Sequence, residues 1–331
     1  MKCLIYGAGA IGGWLGAQWT RQGQEVVLLA RGETLQALQS QGVTLVEGQG
    51  ASQSTRVKAI GVDEEEGGFD LIVVTLKSMQ LAQAAGDIAR RLSPNGVLLM
   101  IQNGLPWWYF DGLDSPWRDR PLECLDPQGV LRSTLPTERI VGATIARPVI
   151  QIGPGSYKVP TYADAVLRVG DVLGGRSDRL QRLCAQLDPV IRCEAVPDIR
   201  RAKWNKLMRN LVWNTLCAIG QSGPGRFADI PLGQELVTHI IQEGLAVAHS
   251  VGQDIACDAA QELISVRGDL SHTPSMLQDV RAGRALEIDA IVNSVIEIGS
   301  WTGVPTPTLK TISALLHVLQ SAAHGRGIGL L

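Results

Sequence analysis

The sequence predicts an α/β protein with a mostly parallel sheet in its N-terminal part, followed by an all-α C-terminal part. Through about the first hundred residues, short apolar runs alternate with amphipathic stretches, as in a parallel sheet with crossover helices. From Pro197 onwards the strand-like runs stop and helical patterns follow one another. We therefore predict two domains, residues 1–196 and 197–331.

The predicted elements of the first domain follow in chain order. Strands are expected at 3–6, 25–30, 69–76, 97–101, 140–145, 166–172 and 190–196, and helices at 11–20, 33–40, 78–92 and 178–187. The run FDLIVVTL at 69–76 is almost entirely apolar, which is typical of a strand covered on both faces. An inserted aromatic loop interrupts the alternation between about residues 105 and 136. In the second domain, helices are expected at 235–250, 274–300 and 307–320.

Composition and charge exclude several classes of protein. Lysine and arginine number 30 against 32 acidic residues, so no basic excess indicates a nucleic-acid or anionic-membrane partner. The basic cluster from Arg200 to Lys203 is interpreted as a solvated helix face. The six cysteines have no CxxC spacing, and no metal site or disulfide framework is indicated. With no apolar run of membrane-spanning length and a strand directly after Lys2, we expect a cytoplasmic protein.

A glycine motif with the pattern GxGxxG lies between the first predicted strand and the first predicted helix. This position strengthens a pattern that is weak alone, because a helix N-terminus offers free N–H groups to a pyrophosphate. The motif predicts a Rossmann-like dinucleotide-binding domain with contacts from Gly7, Ala8, Gly9, Ala10, Ile11 and Gly12.

Arg31, after the second predicted strand, indicates which dinucleotide binds. An NAD site has Asp or Glu at this position, whereas an arginine can form charge-assisted bonds to a 2′-phosphate. We therefore predict NADP(H) as the cofactor. Lys77 and Asn103 also follow predicted strands, where open parallel sheets bind their ligands.

Polar residues of the second domain form a further candidate site. On a helix predicted from about Asp198, Lys206, Asn210 and Asn214 are spaced i, i+4 and i+8, so they drift by only about 80° around the axis. The stripe is either a solvated face or a hydrogen-bonding surface; asparagine, a poor former of helix interiors, is compatible with the second. Ser275 follows a Thr-Pro helix start, and Glu287 has apolar neighbours that leave its exposure open.

These motifs together resemble the ketopantoate reductase (2-dehydropantoate 2-reductase) family over nearly the whole chain. The matching blocks are GAGAIGG, LLARG, VTLKSMQ and QNG, followed by KWNKLMRNLVWN and SMLQDVRAGRALEID. The last two are the more specific, because many reductases share the glycine motif. The resemblance implies NADPH-dependent reduction of a 2-oxo acid, with ketopantoate as first candidate, in pantothenate biosynthesis.

The resemblance also implies roles for individual residues. Arg31 would hold the 2′-phosphate, while Lys77 and Asn103 would lie at the nicotinamide end, Asn103 in reach of substrate as well. Lys206 would be the general acid that protonates the carbonyl oxygen. Glu287 would orient the substrate hydroxyl or tune Lys206. The substrate's carboxylate and hydroxyl oxygens would be bound by Ser275, Asn210 and Asn214.

Two departures from the family pattern leave the substrate open. QNG continues into the aromatic residues 106–110, and a glycine-rich stretch at 220–225 replaces an asparagine that is often present. Both favour a bulkier or more apolar 2-oxo acid as the alternative, unless the aromatic loop merely packs on the protein or forms a dimer contact.

Alternatives of other classes are a non-catalytic NADP(H)-binding sensor and an opine-type dehydrogenase. The second would use a histidine, but His239, His249 and His272 lie in no supporting motif. The C-terminal helices are compatible with a homodimer or with an intramolecular core.

Overall fold

The computed structural model describes residues 1–48, 50, 52–160, 165–175 and 177–326. Two compact units divide the chain: residues 1–102 with 129–199, and residues 103–128 with 200–331. The division differs from the predicted boundary in two respects: residues 103–128 belong with the helical unit, and the later boundary falls after residue 199 instead of 196. The last five residues of the predicted second domain, 327–331, lie outside the described residues.

The first unit is built on an eight-stranded, mostly parallel sheet, so the predicted fold class is confirmed. Its order is β12-β11-β8-β7-β6-β1-β2-β5, and only the β8–β11 pair is antiparallel. The strands are β1 Cys3–Tyr6, β2 Val26–Leu29, β5 Lys58–Ile60, β6 Phe69–Val74, β7 Leu92–Met100, β8 Ile140–Ala146, β11 Val166–Asp171 and β12 Arg192–Ala195. All the predicted strands are present, with ends shifted by a few residues.

A second, four-stranded sheet of the first unit was not predicted. Its order is β4-β3-β10-β9, with β3 Val43–Glu47, β4 Ser52–Thr55, β9 Ile150–Gly153 and β10 Ser156–Val159. These strands are short, and β4 consists of polar residues that are mostly exposed, so no apolar period marks them.

Five α-helices accompany these sheets in the described part of the first unit. They are α1 Ala10–Arg21, α2 Gly32–Gln41, α3 Leu81–Arg91, α4 Val130–Thr134 and α5 Asp178–Leu187. A 3-10 turn, Ser78–Gln80, precedes α3 where the sequence predicted one continuous helix. The hydrophobic core of this unit lies between the sheet and its helices. Strand side chains such as Ile5, Leu28 and Val73 pack there with Leu15 of α1.

The second unit is helical as predicted, but two of its helices contain π-helical turns. In chain order the helices are α6 Ile199–Arg209, a π segment Asn210–Asn214, α7 Thr215–Gly220, α8 Gly225–Asp229, α9 Pro231–Ser250, α10 Ala259–Val266, α11 Ser275–Arg281, a second π segment Asp289–Asn293, α12 Ser294–Thr302 and α13 Pro307–Arg326. The single helix predicted at 274–300 is wrong, because the chain leaves helical geometry between Arg281 and Ile288. No helix in the described ranges is long and apolar enough to cross a membrane.

The aromatic loop packs into the helical unit. Tyr109 and Phe110 are fully buried in its core. The Tyr109 hydroxyl accepts a hydrogen bond from the Trp204 indole N–H at 2.7 Å, and the Phe110 ring lies 5.7 Å from that of Trp301. Of the three explanations given for this loop, packing on the protein itself therefore holds for Tyr109 and Phe110.

Candidate functional site

The glycine loop of the first unit has the geometry that the motif predicts. Gly7 has a φ of +108°, which favours glycine, and its carbonyl accepts the Thr75 hydroxyl at 2.6 Å. A Cβ on Gly12 would lie 1.9 Å from the Gly7 oxygen, so the third motif position has no room for a side chain. Helix α1 can therefore begin directly against the end of β1.

The second motif position leaves space for a ligand. Among the described residues, no atom lies within 4 Å of a Cβ built on Gly9, and no side chain caps the α1 N-terminus that follows it. The first N–H groups of a helix have no intrahelical partner, and together with the helix dipole they attract phosphate. An open cradle beside an uncapped helix start fits the pyrophosphate of a dinucleotide.

Tyr157, from the second sheet, supports this loop and was missed by the sequence analysis. Its hydroxyl donates to the Ala8 carbonyl oxygen at 2.6 Å, and a Cβ on Gly13 would lie within 2.1 Å of its ring. Burial raises the pKa of Tyr157, so the phenol keeps the proton that it donates. Its strand, β10, gave no recognisable signal in the sequence.

The glycine loop, Arg31 and Lys77 follow the parallel strands β1, β2 and β6, in that order. They therefore lie at the same edge of the sheet. Arg31 is exposed and precedes α2, and its charge acts to lower the pKa of Tyr6, whose hydroxyl donates to Asp87 at 2.9 Å. Burial and the Asp87 carboxylate raise the pKa of Tyr6 to about 12. Lys77 is half-buried and begins the 3-10 turn.

Three predicted site residues meet in the second unit, and we call Lys206, Asn103 and Glu287 the lysine network. The Lys206 amine donates to Asn103 Oδ1 at 2.9 Å, and Asn103 Nδ2 donates to Glu287 Oε2 at 3.0 Å. Because each amide atom has one fitting partner, the Asn103 side chain is oriented by both neighbours. The amide therefore links the amine to the carboxylate in one chain of hydrogen bonds.

Burial and charge act in opposite directions on the Lys206 amine. Burial lowers its pKa to about 8, while the Glu287 carboxylate, itself only 7% exposed, acts to raise it. A lysine with a pKa near neutrality is largely protonated at physiological pH yet releases its proton readily. The lysine network thus has the properties of a general acid.

The second π segment fixes the turn that contains Asn103. Gly104 has a φ of +72°, and a Cβ there would lie 2.1 Å from the Ala290 carbonyl oxygen. That same oxygen accepts the Leu105 N–H at 2.9 Å. Glu287 lies two residues before this π segment. The contact between Gly104 and Ala290 therefore holds the Asn103 amide close to the Glu287 carboxylate that accepts its hydrogen bond.

The remaining predicted residues lie at the first π segment. Asn214 is buried, and its Oδ1 is 3.5 Å from the hydroxyl of Ser275, which is exposed. Asn210 has a buried Nδ2 that finds no hydrogen-bond partner in the described part of the chain. The helix that carries Lys206, Asn210 and Asn214 is not the regular α-helix assumed for their i, i+4, i+8 spacing, because residues 210–214 form a π segment with i→i+5 bonding.

Arg200 and Lys203 correct the expectation of a solvated basic face. Arg200 is 6% exposed and Lys203 2% exposed. The Arg200 guanidinium donates to the carbonyl oxygens of Tyr109 and Asp111. The local sequence carries no signal of this burial, because basic residues three positions apart on a helix are equally typical of a solvated face.

The chain matches known families over most of its length. Residues 3–171 match the family described as "Ketopantoate reductase PanE/ApbA", and residues 198–320 match its C-terminal domain. A 2-dehydropantoate 2-reductase of Mesorhizobium japonicum is 32% identical over 322 residues, 96% of this chain and 98% of that protein.

Solved structures show the same fold. A protein from Ralstonia solanacearum MolK2, provisionally described as a ketopantoate reductase, superposes with a TM-score of 0.90 and 31% identity over 99% of both chains. A D-mandelate dehydrogenase bound to NADH and anilino(oxo)acetate superposes with a TM-score of 0.83 and 22% identity, over 98% of this chain and 100% of that one. The chain belongs to the ketopantoate reductase family and is an oxidoreductase that acts on a CH–OH group.

Proposed function

We propose that this protein uses NADPH to reduce a 2-oxo acid to the 2-hydroxy acid, with ketopantoate, on the way to pantothenate, as the first substrate to test. The observation that supports this most strongly is the lysine network: an amine of lowered pKa, oriented by an amide that a buried carboxylate holds. A non-catalytic sensor would have no need for an acid prepared in this way.

In the proposed reaction, Lys206 supplies the proton. NADPH, when bound, would supply the hydride that C2 of the 2-oxo acid accepts. As negative charge develops on the carbonyl oxygen, the Lys206 ammonium stabilises it and transfers one proton to it, which gives the hydroxyl. The neutral amine stays bound to Asn103 Oδ1 and regains a proton from solvent before the next cycle.

Arg31 supports NADP(H) over NAD(H). It lies exposed at the end of β2, beside the sheet edge where the glycine loop offers its N–H groups. A bidentate guanidinium fits a 2′-phosphate, and Glu33, the acidic residue nearby, lies in the first turn of α2. We expect Arg31→Ala to raise the KM for NADPH about tenfold or more and to leave that for NADH nearly unchanged, since each 1.4 kcal/mol is a factor of ten. Equal effects on both cofactors would contradict this role.

The substrate-binding groups would be Asn210, Asn214 and Ser275, with Asn103 at the carbonyl. The buried, unpartnered Nδ2 of Asn210 is a donor for a substrate oxygen, which can replace the missing hydrogen bond. A substrate without a matching oxygen would leave that group unpaired and so be rejected.

A bulkier 2-oxo acid is the second candidate because of Trp107 and Trp108. Both are buried, and within the described residues neither indole N–H has a hydrogen-bond partner. Because they lie in the segment after Asn103 where the chain departs from the family pattern, they favour an aromatic or branched side chain on the substrate. The D-mandelate dehydrogenase of the same fold, whose structure contains the aromatic anilino(oxo)acetate, makes a phenyl-substituted 2-oxo acid the first one to compare.

The test is NADPH oxidation, followed at 340 nm, with ketopantoate beside a panel of branched and aromatic 2-oxo acids. Preferred turnover of ketopantoate supports the first substrate. Preferred turnover of an aromatic member that Trp107→Leu and Trp108→Leu diminish supports the second. No turnover of any member, with tight NADPH binding in a fluorescence titration, would favour a sensor and refute the proposed reaction.

Assembly as a homodimer and a cytoplasmic location remain predictions. Light scattering on the purified protein distinguishes a 35.5 kDa monomer from a particle of twice that mass. Fractionation of the native cells tests the location.

A further inference from the structure

The thiols of Cys184 and Cys193 lie in contact in the first unit. Their sulfur atoms are 3.4 Å apart, and the Cys193 thiol donates to the Cys184 sulfur. Cys193 follows Cys184 by nine residues, so the pair lacks the CxxC spacing that would have revealed it in the sequence. Neither the proposed cofactor site nor the proposed proton transfer uses these two thiols.

The connection between α5 and β12 brings the two sulfur atoms together. Cys184 lies on α5 and Cys193 on β12. Between them, the Asp188 N–H donates to the Cys184 carbonyl oxygen at 2.9 Å, and the Asp188 carboxylate accepts the Cys193 N–H at 3.0 Å. One residue therefore binds the main chain at both cysteines and holds their side chains near each other.

Both thiols are partly exposed, at the margin of the hydrophobic core of this unit. A dissolved oxidant can therefore reach them, whereas Cys3 and Cys217 are buried. Strand β12 is the edge strand of the eight-stranded sheet, and in the described ranges it pairs only with β11. A covalent bond between the two sulfur atoms would tie this edge strand to α5.

The two thiols differ in how readily they lose a proton. Burial raises the pKa of both, and the Asp188 carboxylate acts in the same direction. The hydrogen bond between them acts to lower the pKa of Cys184 and to raise that of Cys193. Because the thiolate is the nucleophile in thiol chemistry, Cys184 is the thiol that attacks first, and the raised pKa values make the attack slow at neutral pH.

We propose that Cys184 and Cys193 form an oxidation site, which the disulfide of a small thiol converts to an intramolecular disulfide. The Cys184 thiolate attacks one sulfur of the small disulfide, whose S–S bond breaks and releases one small thiol. The Cys193 sulfur, on losing its proton, attacks the Cys184 sulfur of this mixed disulfide and releases the second small thiol. The two cysteines lose two electrons, the small disulfide gains them, and both protons end on the two small thiols.

The test exposes reduced wild-type protein to increasing concentrations of oxidised glutathione at mildly alkaline pH, and N-ethylmaleimide then blocks the remaining thiols. Trypsin cleaves after Arg192, between the two cysteines, so mass spectrometry detects their disulfide as peptides 183–192 and 193–200 joined. Cys257, a partly exposed thiol of the second unit, is the internal reference. We expect the joined peptides at an about tenfold lower glutathione disulfide concentration than the mixed disulfide of Cys257, because the second thiol is already in place.

Serine variants test the order of attack. Cys193→Ser should stop at a mixed disulfide on Cys184, and Cys184→Ser should take up glutathione at Cys193 about tenfold more slowly. Cys257→Ser is the matched control and should form the joined peptides as the wild type does. Equal uptake in the first two variants would overturn the assignment of Cys184 as the attacking thiol.

The wild-type result decides the proposal without any variant, provided that circular dichroism shows a folded protein. No joined peptides at any glutathione disulfide concentration would overturn the proposal. So would joined peptides in which Cys184 or Cys193 is bound to other cysteines as often as to its neighbour, because the contact between the two sulfur atoms would then not direct the oxidation.

Discussion

The glycine loop and the lysine network differ in how the sequence specifies them. The glycine loop is a contiguous segment whose conformation depends on missing side chains at Gly7 and Gly12. The lysine network joins residues far apart in sequence, because Lys206 lies 103 residues after Asn103 and Glu287 lies 184 residues after it. A phosphate cradle needs backbone N–H groups, which any local turn can present, whereas a tuned acid needs burial and opposing charges, which require tertiary packing.

The glycine loop and the lysine network also differ in how densely the surrounding residues are packed. Around Gly9 there is open space and an uncapped helix start. Around Asn103 there is a dense arrangement in which Gly104 touches Ala290 of the second π segment. Substitutions in the glycine loop should therefore weaken ligand binding or disturb local packing. Substitutions in the lysine network should instead change the electrostatic environment of the Lys206 amine.

Loss of Glu287 should have the largest effect on activity. Glu287→Ala leaves Asn103 Nδ2 without its acceptor and removes the charge that acts to raise the pKa of Lys206. We expect kcat to fall by about a hundredfold or more, the range for general acid catalysis, and the alkaline limb to move to lower pH.

The matched control for that variant is Glu297→Ala in the same unit. The Glu297 carboxylate accepts the N–H groups of Glu123 and Cys124 and lies outside the lysine network. A similar loss of kcat in both variants would mean that Glu287 acts only by stabilising the unit.

Two alanine substitutions in the glycine loop should separate binding from folding. Gly9→Ala places a methyl group in open space, so we expect an unchanged Tm and a Kd for NADPH raised about tenfold or more, equivalent to 1.4 kcal/mol. Gly12→Ala places its Cβ 1.9 Å from the Gly7 oxygen, and we expect a loss of about 1–3 kcal/mol in the free energy of unfolding. Calorimetry and fluorescence titration measure the two quantities. A Gly9→Ala variant that binds NADPH normally would show that the cradle is not the phosphate site.

The smallest effect concerns stability against pH. The pKa of Lys203 is lowered to about 7 in the folded protein, whereas it is near 10.5 when unfolded, so the folded state binds fewer protons and the wild type gains stability as the pH rises between these values. Lys203→Met lacks this dependence. We expect its Tm to exceed that of the wild type by about 2–4 °C or more near pH 7, with a smaller difference near pH 10. A difference that does not vary with pH would contradict the burial of a charged Lys203.

The sequence predicted what local patterns specify. Strand–helix alternation predicted the parallel sheet. Strand ends and helix spacing singled out Asn103 and Lys206, and the family resemblance implied roles for them and for Glu287, but neither predicts their distances. The second sheet was missed because its strands are short or polar, and Tyr157 with it. The two π segments have no known periodic signature in a single sequence, and the burial of Lys203 depends on packing against residues distant in the chain.

We proposed that the Lys206 amine protonates the substrate, and amine rescue provides a sharp test of this claim. The rate of NADPH oxidation in a single turnover is measured for the wild type and for Lys206→Ala, with and without methylammonium. We predict a loss of about a hundredfold or more in the variant, as for a missing general acid, and partial recovery that increases with methylammonium concentration. A variant that retains nearly the wild-type rate, or one that is inactive and unaffected by any small amine while still binding NADPH, would contradict the claim.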